Sequence, residues 1–212
     1  MRRALSIWFI LAAAAFAVFA LALSSGSSWQ PPSAVLRALF APDGGVGEDI
    51  VTGLRLPRAL AAFATGGLLA LAGALMQILL RNPLADPYVL GLSGGAAVGA
   101  LAAMLAGLGA LLINLVAASG ALLSMLLLFG LASRDFSRRQ LLGGVDASPR
   151  LLLTGVILAS GWGAIITMMF ALAPEAKLRG MLFWLMGDLN GAQWWTPALL
   201  TLLVAIALVY PM

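Results

Sequence analysis

Long apolar runs alternate with short connections that carry the charges and most of the prolines. Met1-Arg2-Arg3 leads into an uncharged run over 4–23, and a second covers 59–80. A third stretches without a charge from Tyr88 to Ser133, and two more cover 151–173 and 194–212. One membrane crossing takes about 20 residues and tolerates about 25. The third run is therefore two antiparallel helices, 88–107 and 110–133, breaking near Gly107-Leu108-Gly109. The pattern predicts an all-α, polytopic transmembrane helical bundle of about six spans. External segments at 24–53 and 174–192 and cytoplasmic loops at 81–87 and 134–150 connect them. Arg2 and Arg3 put the N-terminus in the cytoplasm. The first run is longer than a signal-peptide core, although Ala20-Leu21-Ala22 could serve as a cleavage site, and it is read as a retained span.

Inside the external segments two shorter elements stand out. Residues 33–40 form a short helix lying on the surface, with Trp29 in the interfacial belt. Residues 178–187 are apolar but too short to cross, so they form a helix in or dipping into the outer interface. Small residues recur every fourth position within the runs: Ala62, Gly66, Ala70 and Ala74; Gly91, Gly95 and Gly99; Gly155, Ala159 and Gly163. Such stripes let helix backbones approach closely in lipid, where no hydrophobic force drives helices together. The polar residues of the fourth span, Asn114, Ser119 and Ser124, are expected to hydrogen-bond to a neighbouring helix.

Composition sharpens the class. The 212 residues are 62% hydrophobic and 9% charged, far from the balance of a soluble domain. The net charge of +4 does not point to nucleic acid, because no basic patch interleaves with polar residues. Seven of the twelve basic residues (Arg2, Arg3, Arg81, Arg134, Arg138, Arg139, Arg150) fall in cytoplasmic segments. Five (Arg37, Arg55, Arg58, Lys177, Arg179) fall outside, a bias of the right sign. There is no cysteine and no histidine, which excludes thiolate chemistry, a His base and His-based metal sites. Catalytic residues, metal ligands and cofactors are all absent from the reading.

All eight acids lie in connections or at span ends. An ion-coupled carrier ordinarily keeps an ionisable residue at membrane depth. An intramembrane protease needs paired aspartates, a Ser with a His, or a metal site. No GxxxxGK[ST] loop is present either. A membrane enzyme is thus the weakest class, a secondary carrier or channel is the alternative, and uphill movement would draw on a partner's energy.

The ordered string RLPR (55–58), RNPLADP (81–87) and LGLSGGAAVGA (90–100) resembles the FecCD-type permease family. These are the membrane subunits of bacterial ATP-driven importers for iron–siderophore complexes, haem and cobalamin. RLLLTGVILASGWGAIITMMFALA (150–173) and LRGMLFWLMGDLNGAQW (178–194) resemble the family's fifth span and short external helix. The resemblance implies a multi-pass protein of the bacterial cytoplasmic (inner) membrane. Its partners would be a cytoplasmic ATPase dimer, a periplasmic or lipid-anchored substrate-binding protein and a second permease copy or paired permease.

The same resemblance assigns roles. Arg55 and Arg58 would dock the binding protein, or else anchor the span at the headgroups. Asn82, Pro83 and Leu84 would form part of the inner gate, or else a simple tight turn. Ala147 and Ser148 lie where a second gate segment would be, although Pro149 is unusual there. Leu178, Gly180, Met181, Trp184, Met186 and Gly187 would form the external gating helix. Gly66, Gly91, Gly95, Gly99, Gly155 and Gly163 would pack helices. Family members continue through roughly four more spans of about 20 residues each, so this chain is expected to be the N-terminal part of a longer protein.

Overall fold

The computed structural model describes residues 2–41, 44–139, 148–194, 196, 199, 200 and 203. Among them every regular element is helical. Two compact units form, one from residues 1–69 and 189–212, the other from 70–188. Among the described residues four helices are long and apolar enough to cross a membrane, at Leu5–Ser24, Val46–Leu80, Ala110–Ala132 and Leu151–Leu172.

In the first unit, α1 (Arg2–Ser24) is followed by α2 (Pro32–Phe40). Pro32 sits in the first turn of α2, where its missing N–H would be unpaired in any case. Val35 and Ala38 of α2 pack with Leu23 and Val51, and Phe19 and Leu56 pack around them. A short α3 (Val46–Glu48) then runs without a break through a π-helical segment, Asp49–Arg55, into α4 (Leu56–Leu80). The continuous helix is 35 residues long, or about 52 Å, against a bilayer core of about 30 Å. The end of the expected external segment 24–53 is therefore helix, because its turn-forming glycines stop at Gly45 and nothing after it breaks the ladder. The wide π turn is closed by Leu56 N–H donating to Val51 C=O.

In the second unit, α5 (Leu92–Leu105) is the hub, touching α6 (Ala110–Arg139), α7 (Ser148–Leu172) and α8 (Glu175–Met186). Its contact with α6 is the most extensive in the chain. The expected span 88–107 is realised as a 3₁₀ turn, Pro87–Leu90, and then a helix of only 14 residues. That helix is about 21 Å long. Asp86 caps the 3₁₀ turn by accepting from Tyr88 N–H at 2.7 Å, and Gly91 (φ 76) makes the left-handed link into α5. Leu80, Leu90, Leu128 and Leu151 form this unit's core. Pro149 falls in the first turn of α7, a position that tolerates proline. Ala147 lies outside the described residues, as does most of the expected span 194–212, while Ser148 is the first residue of α7.

Candidate functional site

The helix junctions hold most of the residues singled out from the sequence. Gly91, Gly95, Gly99 and Gly155 all lie where backbones nearly touch. A Cβ on Gly99 would stand 2.5 Å from Val116 O, and one on Gly95 would stand 2.6 Å from Ser124 Cβ. Gly120 of α6 faces Gly95 backbone to backbone. At Gly155 of α7 a Cβ would meet Leu90 Cα at 2.9 Å, and at Gly91 it would meet Ala159 N at 2.9 Å. Gly66 and Gly163 differ: no atom lies within 4 Å of the position of a Cβ on either. Their spacing matches the stripe, but among the described residues no neighbour reaches them.

A polar network ties the same three helices. Ser124 is fully buried. Its hydroxyl donates to Gly91 C=O at 2.9 Å and accepts from Trp162 Nε1–H at 2.9 Å. The Trp162 ring lies over Gly94, whose Cβ would come within 2.6 Å of Trp162 Cβ. One hydroxyl thus bonds α5 and α7 from α6, with both its capacities used. Of the other polar residues in this span, Ser119 bonds back to Val116 O in its own helix and Asn114 is exposed. Trp162 was not singled out from the sequence. The signal was there: an indole between two glycines in the middle of an apolar run lies far from the interfacial belt where Trp usually sits.

The RLPR pair divides. Arg55 is buried, and its guanidinium donates to Leu23 O and Ser24 O, both at 2.9 Å, and to Ser28 O. It therefore caps the C-terminal carbonyls of α1, which the helix leaves unpaired. A Cβ on Gly26 would stand 2.8 Å from Arg55 Nη2, so a larger residue there would have to displace the guanidinium. Arg58 is exposed.

The 81–87 stretch is a tight turn whose polar groups serve its own backbone. Asn82 N–H donates to Gln77 O and Arg81 N–H to Ile78 O, ending α4 in a Schellman motif. Arg81 takes the left-handed position at φ 48, unusual for a residue with a Cβ. Asn82 Oδ1 accepts from Leu84 N–H at 2.9 Å, an Asx turn. Asn82 and Pro83 are exposed, and Leu84 projects with 88% of its surface open.

The short apolar helix expected at 178–187 falls within α8. Met181 is fully buried, Trp184 and Leu178 are half-buried, and Met186 is 81% exposed. Gly180 lies beside Met104 of α5, and Gly187 (φ 88) ends the helix. Lys177 Nζ donates to Leu105 O at 2.7 Å, a contact with no sequence signature. An apolar groove of about 350 Å³ between α6 and α7 is lined by Leu127, Leu131, Ile157, Trp162 and their neighbours.

Among the described residues, no group of His, Cys, Asp or Glu could hold a metal, and every buried side-chain N or O has a partner. The fold and these junctions define a multi-pass membrane helix bundle in which polar groups join helices rather than carry out chemistry. The profile of the FecCD transport family matches residues 13–212, and the chain belongs to that family. It is 38% identical over 189 residues to the vitamin B12 import system permease protein BtuC of Salmonella newport (strain SL254), covering 88% of this chain and 53% of that protein. BtuC of Salmonella typhi matches to the same extent, so the chain spans about half the length of these relatives. A solved structure described as a metal-chelate type ABC transporter in an inward-facing conformation superposes with a TM-score of 0.73. The identity there is 25%, over 95% of this chain and 59% of that one.

Proposed function

We propose that this chain is a membrane-spanning part of the translocation subunit of a binding-protein-dependent, ATP-driven importer for metal chelates of the iron–siderophore, haem or cobalamin kind. The observation that carries the reading is the family match over nearly the whole chain. The vitamin B12 permeases of Salmonella among its relatives give the substrate class. The runs 59–80, 88–133 and 151–173, which carry no charged residue, support it, because an ion-coupled carrier needs an ionisable group at depth.

In this reading the protein sits in the bacterial cytoplasmic membrane with its N-terminus inside. An ATPase dimer works it from below and a periplasmic or lipid-anchored binding protein delivers the chelate from outside. A second permease copy or paired permease completes the channel. Of the RLPR pair, Arg58 is the docking residue: its exposed charge can steer an acidic partner, whereas Arg55 is committed to α1. The exposed turn with Asn82, Pro83 and Leu84 serves as part of the inner gate, with Ala147 and Ser148 beside the second gate segment. The helix from Leu178 to Gly187 is the outer gating element.

Reconstitution in proteoliposomes with the cognate ATPase and binding protein tests the whole. Chelate-stimulated ATP hydrolysis and ATP-dependent uptake are expected. Uptake that continues without nucleotide would instead identify a secondary carrier or channel.

A further inference from the structure

Helix α8 is bounded by a backbone break at each end. Pro174 precedes it in an extended conformation, and Gly187 follows it at φ 88, a backbone geometry that L side chains rarely adopt. Between these breaks it rests on α5. Its seat is largely apolar: Met181 is fully buried and Gly180 lies beside Met104. Packing of that kind is non-directional and lets a short helix slide or lift. Leu182, Phe183 and Met186, by contrast, remain at least half exposed.

A directional bond adds to this seat. The C-terminus of α5 closes in a Schellman motif, with Leu108 N–H donating to Ala103 O and Gly107 N–H to Met104 O. The carbonyl of Leu105, at the end of the helix, takes the Lys177 ammonium at 2.7 Å. A cation there also suits the negative end of the helix dipole. The other cation of α8, Arg179, lies 5.6 Å over the Phe183 ring of its own helix and so braces α8 internally.

We propose that Lys177 is a positioning residue, a latch holding α8 down on the C-terminus of α5, and that its release lifts α8 and uncovers Met181. The link to transport rests on the reading of α8 as the outer gating element. Under that reading, the bond between Lys177 and Leu105 O is what keeps the outer end shut when no binding protein is docked.

The chain has no cysteine, so an introduced thiol is a unique probe. Met181→Cys is placed in chains carrying Lys177, K177M or K177R, each in lipid nanodiscs where both faces are reachable, and labelled with a charged maleimide. The native and K177R chains should protect the thiol, and K177M should label about ten- to a hundredfold faster, the shift expected from losing one hydrogen bond to a charged group. Equal protection in all three overturns the latch, and so does equal labelling in K177M and K177R. Leu128→Cys, at a fully buried site in α6, should stay protected throughout. If it too becomes reactive in K177M, the unit has unfolded as a whole, and Lys177 is not a local latch. In the reconstituted importer K177M should also raise ATP hydrolysis in the absence of binding protein. Faster labelling with unchanged hydrolysis would keep the latch and refute the gating reading of α8.

Discussion

The crossing of α5 and α6 gives the sharpest test of how the second unit is held together. Gly99→Ala would add a Cβ at 2.5 Å from the backbone oxygen of Val116. A relaxed C···O contact is about 3.3 Å, so the helices must separate by about 0.8 Å. A gap of that size forfeits a quarter to a half of each dispersion contact along the seam. Overpacking of this kind costs about 1–3 kcal/mol. Alanine also recovers about 0.5–1 kcal/mol of helix propensity, leaving a net loss of about 1–2 kcal/mol. In lipid no hydrophobic gain between helices softens that loss. Gly163→Ala supplies the reference, since its Cβ meets nothing within 4 Å and it should gain the propensity alone. The difference between the two variants isolates the overpacking cost. Reversible unfolding of the monomer in mixed detergent micelles measures both. If Gly99→Ala proves as stable as Gly163→Ala, the close approach of α5 to α6 does not hold the unit together.

Further outcomes follow from the other junctions. Ser124→Ala leaves the Trp162 indole N–H and the Gly91 carbonyl without their partner and should cost about 1–2 kcal/mol, at membrane values of about 0.6–1.7 per bond. A double-mutant cycle with Trp162→Phe that shows no coupling would remove the network from the account. Arg55→Leu strips the cap from α1 and should cost about 3–6 kcal/mol, since two bonds to a charged group contribute about 1.5–3 kcal/mol each. Arg58→Glu should change stability by less than about 0.5 kcal/mol yet slow binding-protein association in a salt-dependent way. Equal melting losses in the two Arg variants would contradict the division of the pair. Arg81→Gly relieves a left-handed residue and should raise stability by about 1 kcal/mol; a loss on chemical unfolding would mean that the arginine side chain holds the turn. Met186→Asp alters a residue that is 81% exposed, so folding should survive while chelate uptake falls. Undiminished uptake would take Met186 out of the pathway.

The sequence read the apolar periodicity well because it is a property of whole segments. Residues 4–23 and 151–173 could be little else than helices of spanning length. It read Gly91, Gly95 and Gly99 well because a four-residue spacing of small side chains encodes close approach. At Gly66 and Gly163 the same spacing meets no described neighbour, since it records the size of a residue and not whether a helix lies opposite. The two arginines of RLPR were indistinguishable in one dimension. The π segment Asp49–Arg55 shifts the register at that point, and it is Arg55 that meets the end of α1. Lys177 was invisible for a different reason. Its acceptor is a backbone carbonyl 72 residues away, and every residue carries a carbonyl. The short α5 escaped notice because no charge marks either of its ends.

These contacts also constrain how such a bundle could move. Among the described residues of the second unit the buried polar side chain is Ser124, whose hydroxyl is bonded to the half-buried Trp162 indole, and neither group changes charge near neutral pH. They offer a cation or proton nothing to exchange, so an ion gradient has no handle on the described interior. The glycine seams press backbone against backbone, and close-packed contacts of that kind transmit displacement rather than absorb it. Helices α5, α6 and α7 are therefore expected to shift as a block. The freedom lies at the breaks: the strained turn that begins at Arg81, and α8 between Pro174 and Gly187. Force applied at the first from one side of the membrane, and release of Lys177 at the second, would open the two ends of a passage in turn. Under the importer reading those are the two places where a partner must act.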